Sequence, residues 1–215
     1  MKIGRRALTG VAAAILGAPA ALAGTSRTTY IYSPHPDDET LYLAAYITFA
    51  VDRGDRLVLV AVTDGGATFA RAKGWSQEDI RTIRRIEQEA AWRALTGGRG
   101  GVVRLGLEDG AGASLTAPVR EYARSVEGPH VEHYVAANDN ESVDHASVVR
   151  GIRDAGVRVA RFSNRPGSST GYRYRPADVN AARVAAGCYV AVGQRSVPSM
   201  FKDLEQSGYS SRIVG

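Results

Sequence analysis

Five β-rich runs alternate with segments of helical period along this chain, and that alternation restricts the fold more than any other feature. Thr28–Tyr32, Arg56–Thr63 (RLVLVAVT), Val102–Leu105, His130–Ala136 and Val157–Phe162 read as strands, most of them closed by Gly, Pro or Asp. Between them, Asp38–Val51, Ser76–Leu95, Leu115–Val126 and Asp144–Asp154 carry apolar residues at helical spacing. Ser76 reads as an N-cap, with Asp79 three residues on completing a capping box. Ala177–Val192 and Ser199–Gln206 close the chain as helices, after a Gly/Ser/Tyr/Arg-rich loop over Asn164–Arg175. Strands separated by helices of this length need crossover connections. The expected fold is a Rossmann-like, three-layer α/β/α domain with a mostly parallel sheet.

The first 23 residues stand apart. Lys2, Arg5 and Arg6 precede an almost wholly apolar or small stretch, Ala7–Ala23, and Ala21-Leu22-Ala23 has the pattern of a cleavage site. They read as a cleavable signal peptide, and the Arg5-Arg6 pair permits the twin-arginine route. Residues 24–215 then form one domain, secreted or otherwise outside the cytoplasm, with no stable membrane insertion. The formal net charge of +5 falls to +2 without that segment, too mild a balance to argue for nucleic acid. One cysteine, Cys188, excludes an internal disulfide framework and a cysteine-rich zinc module. Any metal must rest on His, Asp and Glu, and the only histidines are His35, His130, His133 and His145.

In doubly wound sheets, ligands bind beyond the carboxyl ends of the strands. Three polar groups follow strands here: Ser33–Glu39, Thr63–Thr68 and Ala137–His145. In His35-Pro36-Asp37-Asp38-Glu39 an imidazole and a carboxylate three residues apart can converge across a turn into a helix, with Asp37 facing the same cavity. Helix capping accounts for Asp38 and Glu39, but not for a His-Pro ahead of two aspartates. His35 and Asp38 with one further histidine make a three-ligand set that leaves a metal position open to water. Asp144-His145, after another strand, supplies the partner. A neighbouring carboxylate can take the proton as a metal-activated water attacks. His130 and His133 fall on ordinary strand positions.

Pro34-His35-Pro36-Asp37-Asp38-Glu39 resembles the (A/P)HPDDE signature of the PIG-L/LmbE-like N-acetylglucosaminyl deacetylases. Thr63–Thr68, Arg84-Arg85-Ile86-Glu87, Leu105–Gly110 and Asp144-His145 are similar to further family segments in the same order, over about residues 28–150. The resemblance implies a zinc (or other divalent metal) de-N-acetylase acting on an N-acetylated sugar or glycoconjugate. His35, Asp38 and His145 would ligate the metal. Asp37 would be the general base, and Asp144 would orient a neighbour. Arg84 and Asp109 would bind substrate.

Two positions depart from the pattern. The first histidine of the family's H-x-D-H falls on Ser142, and Tyr189 stands for a late histidine. In the family, the histidine replaced at Ser142 stabilises the oxyanion or protonates the leaving amine. Asn138, Asn140 and His133 are possible replacement donors. A metal- and sugar-binding protein with little turnover is therefore an alternative from a different class. A carboxylate-pair glycosidase using Asp37 and Glu39 is a third, which leaves His35 and His145 unexplained. Trp75 and Phe69 are candidates for a pocket rim. Tyr172-Arg173-Tyr174-Arg175 could stack on sugar, though packing of its tyrosines on the core explains it as well.

Overall fold

The computed structural model describes residues 27–68, 74–137, 142–166, 176–206, 208 and 211–214. The expected signal peptide, Phe69, Asn138, Asn140 and Tyr172–Arg175 lie outside the described residues.

Strands β1 (Thr28–Ser33), β2 (Arg56–Thr63), β3 (Gly101–Leu107), β4 (Val131–Ala136) and β5 (Ala160–Pro166) pair in parallel. A short β6 (Ser211–Val214) joins β5 antiparallel, so the sheet order is β3-β2-β1-β4-β5-β6. Period-two alternation divides the strands between two cores. Ile31, Leu57, Leu59, Tyr134 and Ala136 face α1 (Asp38–Arg53), α2 (Gln77–Thr96), α5 (Pro176–Ala186) and, further along the chain, α7 (Pro198–Gln206). Tyr32, Val60, Val62, Val135 and Ala137 face α3 (Thr116–Val126) and α4 (Val143–Ala155). The result is the expected three-layer α/β/α fold with a mostly parallel sheet. Among the described residues no helix is long and apolar enough to cross a membrane.

Local signals set most boundaries. Gly54 ends α1 in a left-handed conformation, and Ser76 and Asp79 make the reciprocal bonds of a capping box at α2. Three expectations need correction. β5 starts at Ala160 rather than Val157: the bond from His133 N–H to the Val159 carbonyl opens its ladder with β4, and just upstream the Arg158 amide turns to the Glu127 carboxylate. The helix expected over 177–192 ends at Ala186. Beyond it the amides of Ala191, Val192 and Gly193 all bond the carboxylate of Glu87 instead of continuing a helix, and a short α6 (Gly193–Ser196) follows. β6 has no counterpart among the expected strands.

The chain leaves β1 toward β2 on one side of the sheet and takes up β4 on the other. β1 and β4 are neighbours, so the loops after them open at the crevice where the winding reverses. His35 lies just after β1, and His145 lies in the first turn of α4, after β4.

Candidate metal centre and active site

Pro34–Asp37 turns the chain from β1 into α1. At the helix start Asp37 adopts φ 154°, a conformation that costs a non-glycine residue energy and persists where surroundings enforce it. The enforcing contacts are close. His35 N–H donates to Asp38 Oδ2 at 2.6 Å, and the Asp37 carbonyl accepts from the amides of Thr40 and Leu41. Gly65 on the neighbouring loop (φ 69°) permits this turn, because a Cβ there would lie 2.9 Å from the Pro36 ring and 3.0 Å from Arg84 Nε.

His35 Nδ1, Asp38 Oδ2 and His145 Nε2 converge. Their separations are 3.2 Å between the imidazoles, 3.3 Å from His35 to Asp38 and 3.2 Å from His145 to Asp38. Ligand atoms about 2.0–2.1 Å from one tetrahedral zinc stand about 3.3 Å apart, so the spacing fits a single small divalent ion. The hydrogen bonds around the three residues agree. His145 Nδ1 lies 2.8 Å from the Ala136 carbonyl, which can only accept, so its N–H is there and Nε2 carries the lone pair. His35 Nε2 faces Asp144 Oδ2 at 3.2 Å and Asp109 Oδ1 at 3.4 Å, which places the proton on that side and the lone pair on Nδ1. With His35 neutral, two imidazole lone pairs and a carboxylate point at one another, an arrangement that a bound cation stabilises; without a cation, a proton on His35 does so instead.

His35, Asp109 and Asp144 form a second cluster compatible with a metal. Both oxygens of Asp144 are already engaged, by the amides of Gly110 and Gly112 at 2.7 Å each, while Asp109 takes the Ala67 amide at 3.0 Å through Oδ2 and turns Oδ1 to His35. These bonds suit a hydrogen-bonded support for a ligating imidazole better than a metal cradle. Burial draws the His35 pKa down, but Asp109, Asp144 and Asp38 outweigh it and hold it well above the ordinary value. Burial also opposes ionisation of Asp38, yet His145 and His35 hold its carboxyl well below the usual range.

Asp37 lies beside the triad on a cleft of about 350 Å³ that also exposes His35, Asp38, His145, Asp109 and Ser142. Burial pushes its pKa up to about 7 against the opposing pull of Arg84, whose Nη2 lies 3.0 Å from Asp37 Oδ2. A bound cation pulls that value down again. Arg84 is only 3% exposed and also donates to the Pro36 carbonyl, while its Nε has no hydrogen-bond partner. It borders the cleft, but its described contacts go to Asp37 and the turn that carries it.

Other expected participants lie elsewhere. Glu39 is fully buried and accepts from Ser33, Thr40, Gln88 and Tyr189, so it cannot flank a glycosidic bond. His133 is fully buried between Tyr32 and Glu127 in the other core and cannot stand in for the histidine replaced by Ser142. Tyr189 is fully buried, donates to Glu39 and does not line the cleft. Trp75 packs on Ile80 and Val192. The sequence reading missed Ser196, Val197 and Met200, which line the cleft from the α6–α7 region. Their only sequence signal was proximity to the late family segment.

The fold and centre together define a doubly wound α/β protein with a His–Asp–His set that could hold a metal ion at its switch point. The chain belongs to the PIG-L (GlcNAc-PI de-N-acetylase) family, whose profile matches residues 30–156. Its fold is shared with a triple mutant of a deacetylase of the teicoplanin biosynthetic pathway, at TM-score 0.67 and 20% identity, over 85% of this chain and 90% of the other. N,N'-diacetylchitobiose deacetylase from Pyrococcus horikoshii aligns at TM-score 0.58 and 16% identity, covering 82% and 76%. The 4-carboxy-2-hydroxymuconate hydratase GalB from Pseudomonas putida aligns at 0.61 and 12%, covering 84% and 83%, so this fold also carries a different reaction. No curated protein sequence matches the chain.

Proposed function

We propose that this chain is an exported, divalent-metal-dependent de-N-acetylase of an N-acetylated sugar or glycoconjugate, with zinc as the metal. The observation that carries the reading is the convergence of His35 Nδ1, Asp38 Oδ2 and His145 Nε2 on one point at the edge of a cleft that also exposes Asp37.

A divalent ion held there would supply Lewis acidity toward an acyl carbonyl and make water easier to deprotonate. The protein's own groups do the rest. Asp37 takes the proton of the attacking water at its carboxylate, and Arg84 fixes that carboxylate at 3.0 Å. Asp144 and Asp109 hold the His35 ring from behind, and the Ala136 carbonyl does the same for His145. Ser142 borders the cleft where the family pattern has histidine, so its hydroxyl is the group available there to the oxyanion or the departing amine. The apolar segment Ala7–Ala23 behind Lys2, Arg5 and Arg6 supports export.

Ser142 also favours a second reading, a metal- and sugar-binding protein of low turnover, since loss of one oxyanion donor costs about 10²–10³ in rate. Acetate release over a panel of N-acetylated sugars, with and without a chelator, separates the two. Chelator-sensitive acetate release supports the enzyme. Sugar binding with zinc but no acetate supports the binding protein.

A further inference from the structure

Two residues one turn apart on α2 face the site region. Arg84 reaches Asp37, as described. Glu87, 5% exposed, accepts from three consecutive backbone amides: Ala191 at 2.6 Å, Val192 at 2.9 Å and Gly193 at 3.0 Å. Successive N–H groups converging in this way form a concave anion site, here filled by the protein's own carboxylate.

The gripped turn is packed tightly. A Cβ at Gly193 would lie 2.7 Å from the Cβ and Cδ1 of Tyr189, and the Tyr189 hydroxyl is itself bonded to Glu39. Val192 and Ala191 rest on Ile80, Trp75 and Ile83. From this turn the chain passes directly into α6 and the start of α7, where Ser196, Val197 and Met200 line the cleft shared with the metal-binding set. The Val197 amide bonds back to the Gly193 carbonyl and the Met200 amide to the Val197 carbonyl. The position of this wall is therefore transmitted through a short hydrogen-bonded path from Glu87.

We propose that Glu87 is a positioning residue for substrate binding: by holding Ala191–Gly193 it sets the Ser196–Val197–Met200 wall at a fixed distance from the catalytic groups. α2 then carries both adjustments on one rigid element, the orientation of Asp37 through Arg84 and the placement of the wall through Glu87. The inference rests on the de-N-acetylase reading for its substrate, but not for the contacts themselves.

The test compares the full-length wild type with Glu87→Gln and Met200→Ala, the second touching the wall without disturbing the buried carboxylate. Zinc content, kcat, KM for the best N-acetylated sugar of the panel, melting temperature and amide exchange at 191–193 are measured. Glu87→Gln is expected to speed that exchange and raise KM about tenfold, with kcat within about twofold and zinc content unchanged. Met200→Ala is expected to raise KM without changing the exchange. A Glu87→Gln protein that melts earlier and exchanges faster but keeps its KM overturns the proposal. So does an unchanged KM in Met200→Ala, which reads the wall even if Glu87→Gln fails to fold. A wild type that releases no acetate sinks the de-N-acetylase reading instead; the dissociation constant for N-acetylglucosamine then replaces KM, and absence of binding overturns this inference as well.

Discussion

His35 and His145, 110 residues apart in sequence, bring Nδ1 and Nε2 to within 3.2 Å of each other. Each imidazole has its other nitrogen committed to an acceptor. Asp144 and Asp109 serve His35, and the Ala136 carbonyl serves His145. The pair is built to present lone pairs inward, and the predictions below follow from that geometry and its supports.

Asp37→Asn removes the proton acceptor and leaves His35, Asp38 and His145 in place. Acetate release is expected to fall by about 10²–10⁴ while bound zinc, measured by elemental analysis, stays near the wild-type level. A variant that loses its zinc would move Asp37 into the metal-holding set.

Asp144→Asn keeps the shape of the side chain but weakens its hold on His35 Nε2. Loss of such a support costs about 10–100-fold in metal affinity. Competition with a zinc chelator measures it; His145→Ala is expected to lose more, because it deletes a ligand outright.

Ser142→His restores the residue type found in the family pattern at the mouth of the cleft. If the missing donor limits turnover, kcat rises by about tenfold or more, with zinc content unchanged. An unchanged or lower kcat would mean that the hydroxyl, or another donor, already fills that role.

Much of this was legible in the sequence, and the limits have physical causes. His35, Asp37 and Asp38 could be placed because an apolar strand, a proline and a helix start fall within ten residues, where local signals suffice. His145 could be placed because α/β sheets gather their strand ends on one side. The early end of the last long helix was not legible. Gly187 hints at it, but Glu87, about 100 residues earlier, draws the amides of 191–193 away, and no local pattern records such a contact. The same holds for Glu39. Its motif suggests chemistry, whereas two donors close in sequence, Ser33 and Thr40, and two distant ones, Gln88 and Tyr189, fix it as a buried brace. β6 is four residues long and depends on the β5 edge for pairing, so it has little local signal of its own.

Tyr189→Phe tests that brace. It removes one donor from a fully buried carboxylate whose pKa burial already raises. The expected cost is about 1–3 kcal/mol in urea unfolding, with zinc content unaffected.

His133 makes stability depend on pH. Burial holds its folded-state pKa below the ordinary 6.5, against the pull of Glu127. Its contribution is complete above the unfolded value. As pH drops below about 6.5 the unfolded chain takes up the proton first, and the contribution is lost toward the lower folded pKa. Urea midpoints at pH 7.5 and 5.5 are expected to fall further in wild type than in His133→Gln.

The most direct measurement is the anomalous diffraction of a zinc-soaked crystal of the wild-type protein. The account predicts one strong peak bonded to His35 Nδ1, Asp38 Oδ2 and His145 Nε2, open toward the cleft beside Asp37. A peak on the opposite edge of the His35 ring, between Asp109 and Asp144, or no peak at stoichiometric zinc, would contradict it.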